Sequence, residues 1–270
     1  MKHEVTKISL GDLQVSFLLS GGNPISGISH QGREVDQRMY NYFDYDTIFN
    51  YLQQCEHNGI DTIVARIDKF IIRVLTHYWN HGGKIQWIGQ TAKEYGSMLG
   101  NIKEALLAGA SAVYVHGGTF DRCVLNNDYD EILSCIDYCH SVDKPIGIAS
   151  HIPQNLRMAA KKNWQNDFYL LSLYNVGNNE RFDDADRILA LKTLLDLNKP
   201  CLLYKVLAAG RKSLAESLED VSKFIRPCDG ILIGMCPQHD PTMVEKNAEY
   251  VFSLRENLFD PNGLRRVVGG

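Results

Sequence analysis

Ser111-Ala-Val-Tyr-Val-His-Gly-Gly118 is the stretch whose reading decides the fold. A short apolar run ends in His116, and two glycines follow. Such a run predicts a buried strand over 111–116 whose C-terminal end presents a polar side chain beside flexible backbone. On its N-terminal side, the apolar spacing of 96–108 predicts a helix that stops at Gly109, as a left-handed C-cap would have it. On its C-terminal side, a helix is expected at 128–142 and a strand at 145–150.

The same alternation extends in both directions. Before the central stretch come a helix at 46–58, a strand at 61–66, a helix at 69–80 and a strand at 85–90. After it come helices at 153–163, 183–197, 213–225 and 241–256, with strands at 168–173, 201–206 and 230–235 between them. Residues 5–19 read as a hairpin turning at Gly11 and Asp12, and Val15–Ser20 supplies the first strand of the main sheet. Short apolar strands separated by amphipathic helices require parallel pairing with helical crossovers. Eight such units predict a single (β/α)8 TIM barrel with an N-terminal β-hairpin, spanning 1–270. An open doubly wound sheet is the alternative, but nothing marks a reversal of strand order. Residues 25–44 read as a long, tyrosine-rich loop over the site, and 259–270 as a loosely held tail.

Composition narrows the function. Of the 270 residues, 44% are apolar and 22% charged, and the net charge is −4. No basic surface for nucleic acid is expected, no run is long enough to span a membrane, and the first residues do not read as a signal peptide. A cytoplasmic location and a small-molecule partner follow as expectations. Seven cysteines without a Cys-x-x-Cys pair argue against a disulfide framework or zinc knuckle. Cys135 and Cys139, four residues apart on a helix, read as buried packing residues.

In a barrel of this kind the active site lies at the C-terminal ends of the strands. The residues there are Asn23; Arg66 and Asp68; Gln90; His116; Ser150 and His151; Tyr174 and Asn175; Lys205 and Arg211; Cys236 and His239. His116 and His151 are the candidate acid/base pair, because imidazole titrates near neutral pH, with Asp68 either to orient one of them or to pair with Arg66. Arg66, Gln90, Asn175, Lys205 and Arg211 are candidate substrate-binding groups, the cations suiting a carboxylate or phosphate. A divalent metal on His116, His151 and Asp68, or Lys205 as a Schiff-base nucleophile, remain open as variants. His57, His77, His81 and His140 fall near helix C-termini, away from this rim, and the Asp183, Asp184, Asp186 cluster opens a helix; all read as structural. Trp79, Trp87 and Trp164 read as packing residues.

Over nearly its whole length the chain resembles the aldo/keto reductases. Ile8-Ser-Leu-Gly-Asp-Leu-Gln-Val-Ser16 resembles that family's N-terminal plug, and Tyr114-Val-His116 the strand with its active-site histidine. Tyr174-Asn175, Leu203-Tyr-Lys-Val-Leu-Ala-Ala-Gly210, and Ile233-Gly234 with Val244 and Asn247 resemble later motifs of the same family. The resemblance implies carbonyl reduction with NADPH through an Asp-Tyr-Lys-His tetrad. The Asp position falls on Val64, the Lys position on Gln90 and the Tyr position near Lys69, so only His116 is retained. The positions that would hold the nicotinamide amide fall on Ala149, Ser150 and Leu171, and that of the adenine-end glutamate on Lys246. Gly22-Asn-Pro24, Ala65-Arg-Ile-Asp68, His151-Ile-Pro153 and Asp167-Phe-Tyr169 are similar to a branch of these barrels lacking the Asp-Tyr-Lys part. The expected function is therefore a non-redox enzyme of isomerase or lyase type on a sugar or hydroxy acid, with histidine acid/base chemistry. The alternatives are a nicotinamide-dependent oxidoreductase with a rebuilt site, drawing its proton from Tyr40, Tyr42 or Tyr45, and a non-catalytic ligand-binding barrel.

Overall fold

The computed structural model describes residues 7–174, 181–260 and 264–266. Its opening strands, β1 (Lys7–Leu10) and β2 (Leu13–Ser16), pair antiparallel about a turn at Gly11, whose φ of 59° suits glycine. Ile8 and Leu10 alternate with exposed neighbours and point inward. A methyl group on Gly230 would lie 2.7 Å from Ile8 Cδ1, so the hairpin is pressed against the start of the last strand.

Eight parallel strands close into a barrel: β3 (Leu18–Gly21), β4 (Thr62–Arg66), β5 (Gln86–Gln90), β6 (Ala112–Val115), β7 (Ile146–Ser150), β8 (Phe168–Ser172), β9 (Cys201–Tyr204) and β10 (Gly230–Gly234). Closure is made by β10 against β3, with Ile231 opposite Leu18 and Gly234 opposite Gly21. Phe17 separates β2 from β3, so the run read as one strand over Val15–Ser20 serves two sheets. The cause is local: Phe17 is fully buried and its carbonyl accepts from Ile231 N–H at 2.8 Å, which commits the chain to the barrel there.

Ten helices accompany the strands among the described residues: α1 (Arg33–Tyr42), α2 (Tyr45–His57), α3 (Lys69–Asn80), α4 (Met98–Leu107), α5 (Gly117–Asn126), α6 (Asp130–Ser141), α7 (Pro153–Lys161), α8 (Asp184–Leu194), α9 (Leu214–Phe224) and α10 (Met243–Leu258). Eight match the expected crossovers. The other two are α1, inside the segment read as a loop, and α5, which starts directly after β6. Gly117 and Gly118 hide α5 from a propensity reading, yet both stand close against the histidine rings. A Cβ on Gly117 would sit 2.9 Å from His151 Cε1, and one on Gly118 3.1 Å from His116 Cε1. No described helix is long and apolar enough to cross a membrane.

At the bottom of the barrel, carboxylates stitch strand ends together. Asp61 accepts from Ser16 N–H at 2.8 Å, Asp167 from Ile146 N–H at 2.8 Å and Asp229 from Cys201 N–H at 2.9 Å. Asp229 is fully buried and also binds Arg226 through Nε at 2.9 Å and Nη2 at 2.7 Å. The same guanidinium donates to the carbonyls of Leu197 and Lys199, joining the α8–β9 turn to the start of β10. The tail returns to this end: Arg265 pairs with Phe259 across a single bridge and donates to the Ser222 and Ile225 carbonyls.

Asp229→Ala is expected to cost about 3–5 kcal/mol, because it strands the largely buried Arg226 charge. The urea-denaturation midpoint measures it. Replacing both partners (Arg226→Met with Asp229→Leu) is expected to recover part of that loss. A cost below about 1 kcal/mol would show that the pair does not hold the barrel floor.

Candidate active site

The C-terminal rim of the barrel opens into a cavity of about 660 Å³. Arg66 from β4, Gln90 from β5, Tyr114 and His116 from the end of β6, and His151 after β7 all line it. Lys205 and Leu207 follow β9, and Cys236 and His239 follow β10. Residues 28–31 and the α1 side chains Val35, Arg38 and Met39 border the mouth. That segment is fastened across the opening: Gln31 Nε2 donates to the Ala209 carbonyl at 2.7 Å, and Arg211 Nη2 to the His30 carbonyl at 2.9 Å.

His116 and His151 come together, with ring centroids 6.1 Å apart. Their surroundings differ. His151 Nδ1 lies 3.2 Å from Asp121 Oδ2, and its backbone N–H donates to the same oxygen at 3.0 Å. Asp121 belongs to the first turns of α5 and also accepts from Ser150 Oγ and, at 2.8 Å, from Asn155 Nδ2. Burial alone would raise this carboxyl, but the bonds from His151, Ser150 and Asn155 outweigh it and hold Asp121 below the usual carboxylate range. A carboxylate accepting from Nδ1–H fixes the tautomer and leaves His151 Nε2 as the basic nitrogen. Tyr204 packs edge-on to His151 and donates to the Ser150 carbonyl at 3.2 Å.

His116 has no such partner. Its backbone N–H donates to Thr91 Oγ1 at 2.9 Å, but its Nδ1 is buried without a hydrogen-bond partner among the described residues. Burial is the largest influence on this imidazole, and the neighbouring His151, Lys93 and Lys205 act in the same direction. Together they push it down to about 4, against a weaker pull from Asp121. The ring is neutral at physiological pH. Gln90 Oε1 accepts from Tyr114 Oη at 2.6 Å, so this amide presents its NH2 as the unspent donor.

Several sequence-derived assignments need correction. Asp68 does not orient a histidine: it caps α3, accepting from Ile71 N–H at 2.9 Å, and pairs with Arg66 Nε at 2.8 Å. The metal set His116, His151 and Asp68 is therefore not assembled, and among the described residues no group of three His, Cys, Asp or Glu side chains could hold an ion. Arg211 does not line the cavity; its guanidinium serves the Ala208 and His30 carbonyls and covers the Phe182 ring at 4.2 Å. Arg66 does line it, but is also paired with Glu94. Tyr40, Tyr42 and Tyr45 are absent from the lining. Asn175 lies outside the described residues.

Asp121 is the residue that sequence reasoning missed. Its signal was Phe120 and Val124, an apolar pair at helical spacing directly after the strand-end histidine.

No family model matches the chain, and no curated protein matches it. Solved structures do. An aldo-keto reductase (AKR11C1) from Bacillus halodurans, in its holo form, is 12% identical at a TM-score of 0.59, covering 92% of this chain and 91% of that one. A truncated 3-deoxy-D-arabino-heptulosonate 7-phosphate synthase from Thermotoga maritima is 12% identical at 0.57, covering 97% and 95%. N-acetylmannosamine-6-phosphate 2-epimerase from Clostridium perfringens is 10% identical at 0.50, covering 76% and 86%. A reductase, a synthase and an epimerase at such identities establish the (β/α)8 fold and do not single out the aldo/keto reductases.

The depressed His116 has a measurable consequence. Its folded value of about 4 lies below the ordinary 6.5, so between those limits the unfolded chain binds the proton more readily. Stability is thus lost as pH falls through that window. Urea denaturation at about pH 7 and pH 4.5 is expected to show wild type losing on the order of 1–3 kcal/mol more than His116→Gln. Parallel losses in the two proteins would show that His116 is not held neutral by the fold.

Proposed function

We propose that the chain is a non-redox enzyme acting on a hydroxy acid or sugar by histidine acid/base chemistry. The observation that carries this reading is the Asp121–His151 pair at the edge of the cavity, next to a neutral His116 with an unsatisfied buried nitrogen. His151, with Nδ1–H on Asp121, would take a proton at Nε2, and Asp121 would stabilise the resulting imidazolium without itself taking the proton. His116 is neutral and would hydrogen-bond a substrate hydroxyl or carbonyl, giving its buried Nδ1 a partner that it does not have among the described residues. The NH2 of Gln90 and the ammonium of Lys205 would orient the same substrate. In an isomerase step His151 Nε2 would take a proton from carbon and return it to the neighbouring carbon while His116 holds the substrate oxygen; in a lyase step the same proton would instead go to a leaving hydroxyl, which departs as water.

The residues present do not fit nicotinamide as the resemblance places it. Ala149 and Leu171 offer no polar side chain, and the Ser150 hydroxyl is spent on Asp121. Lys69, near the position of the proton-donating tyrosine, is on α3 and paired with Glu104.

The test is solvent deuterium incorporation into hydroxy acids and aldoses, followed by NMR. His151→Gln is expected to lower the exchange rate by about 10²–10⁴-fold. Asp121→Asn is expected to cost a smaller part of it, through kcat rather than KM. Exchange unaffected by His151→Gln would overturn the assignment. Micromolar NADPH binding in a fluorescence titration would favour the reductase alternative.

A further inference from the structure

A second pair of histidines meets outside the cavity, toward the opposite end of the barrel. β4 delivers the chain to the rim, and α3 carries it back toward the floor, where β5 begins. His77 is in the last turn of α3 and His81 is its C-cap. Neither lines the cavity.

Residues four apart on a helix share a face, with about 5–6 Å between their Cβ atoms. Here the rings themselves meet: the centroids are 4.2 Å apart and the planes are tilted by 42°. Both side chains are exposed. Phe49 of α2 stands edge-on to the two of them, its ring centroid 6.1 Å from each. The turn that carries His81 is closed by backbone bonds. His81 N–H and Gly83 N–H donate to the Tyr78 carbonyl at 3.2 and 3.1 Å, and Gly82 N–H to the Trp79 carbonyl at 3.0 Å.

One of the imidazoles also has its tautomer set. His81 Nδ1 lies 2.8 Å from the His77 carbonyl, which can only accept, so Nδ1 carries the hydrogen. The lone pair of His81 is thereby left on Nε2. A metal-ligating histidine characteristically donates its other ring N–H in this way, which fixes the ring and raises its basicity. The pair sits on the final turn of a twelve-residue helix, where unsatisfied carbonyls favour a cation. Against it stands Arg73, one turn before His77; it is exposed, so solvent screens its repulsion.

The spacing fits an ion as well. A Zn–N bond of about 2.0–2.1 Å puts the metal roughly 3.2 Å from each ring centroid, so two imidazoles on one ion have centroids about 4.5–5 Å apart. The observed 4.2 Å is a small side-chain adjustment short of that. We infer that His77 and His81 form a site for a divalent transition-metal ion, zinc or nickel, held by the two imidazoles with water in the remaining positions. Imidazole nitrogen suits these ions, whereas magnesium and calcium seek oxygen. With two protein ligands the site leaves positions open to exchangeable ligands, unlike a closed structural centre.

Isothermal titration calorimetry of the metal-stripped full chain with zinc chloride tests this. An ion is expected to bind with a dissociation constant on the order of 10 μM, weakened at least about tenfold in His77→Gln and in His81→Gln. Zinc should raise the urea-denaturation midpoint of the wild-type protein and leave those of the two variants where they are. Magnesium and calcium chloride at the same concentrations are expected to give no binding heat. His140→Gln and His151→Gln serve as controls and should keep the ion. Imidazole 1H–15N spectra of the wild-type protein give a second readout that needs no variant: zinc is expected to shift the ring nitrogens of His77 and His81. Absence of zinc binding would overturn the site. So would binding that either His77→Gln or His81→Gln leaves intact, or zinc-induced shifts confined to other histidines.

Discussion

Closure of the parallel sheet, β10 onto β3, is the constraint on which the rest of the molecule depends. A parallel sheet has its strands running one way, and a closed one has no free edge. Once Ile231 pairs with Leu18, all eight strand ends are gathered on one rim, and the residues that follow them must share one space. Residues as distant in sequence as Arg66 and Lys205 then line one cavity. The bottom is held by other means. Asp61, Asp167 and Asp229, each at or near a strand start, satisfy backbone donors of a neighbouring strand. Polar groups at the two ends of the barrel thus do different work: those below are spent on the fold, and several of those above remain available to a ligand.

The two histidines show how the same side chain is given two chemistries by its neighbours. His151 touches a carboxylate and His116 does not. Burial and nearby cations keep His116 uncharged, so it can hydrogen-bond without carrying a proton at neutral pH. Asp121 sets a tautomer for His151 and would offset the charge that a proton brings. Two imidazoles in one cavity thus have different surroundings. The difference arises because α5 begins at once after β6, which swings Asp121 back toward the end of β7.

The architecture was legible in the sequence because strand and crossover repeat with clear apolar periods, and each strand ends in a polar residue before a turn. Arg66, Gln90, His116, His151 and Lys205 could be picked out for that reason, and all five line the cavity. Asp121 could not, since its place depends on a helix opening with two glycines, the residues that ordinarily argue against one. The glycines are there for the close approach of His151 and His116, a tertiary requirement with no local signature. Asp68 could be read two ways, as a partner of a histidine or of Arg66, and the structure gives it to Arg66. It lies two residues beyond a strand end, where catalytic groups collect, but it also precedes a helix, where aspartate is a preferred cap. The structure resolves that competition in favour of the cap. Arg211 is similar: a cation after β9 reads as a ligand group until its carbonyl partners are seen.

Those partners connect the site to the segment that covers it. The backbone at Lys205, Ala208, Ala209 and Gly210 is left-handed, with φ between 49° and 80°. Such a path is unfavourable for the three residues with side chains, and it persists where surroundings hold it. Arg187, almost fully buried, donates to the Val206 carbonyl at 3.0 Å from below, while Gln31 takes the Ala209 carbonyl from above. The turn that presents Lys205 and Leu207 is therefore clamped between a buried guanidinium and the strap over the mouth. Lys205 and Leu207, which both line the cavity, are therefore placed by one turn. The same segment that closes over the mouth thus helps to hold the turn after β9 in a conformation that side-chain-bearing residues seldom adopt on their own.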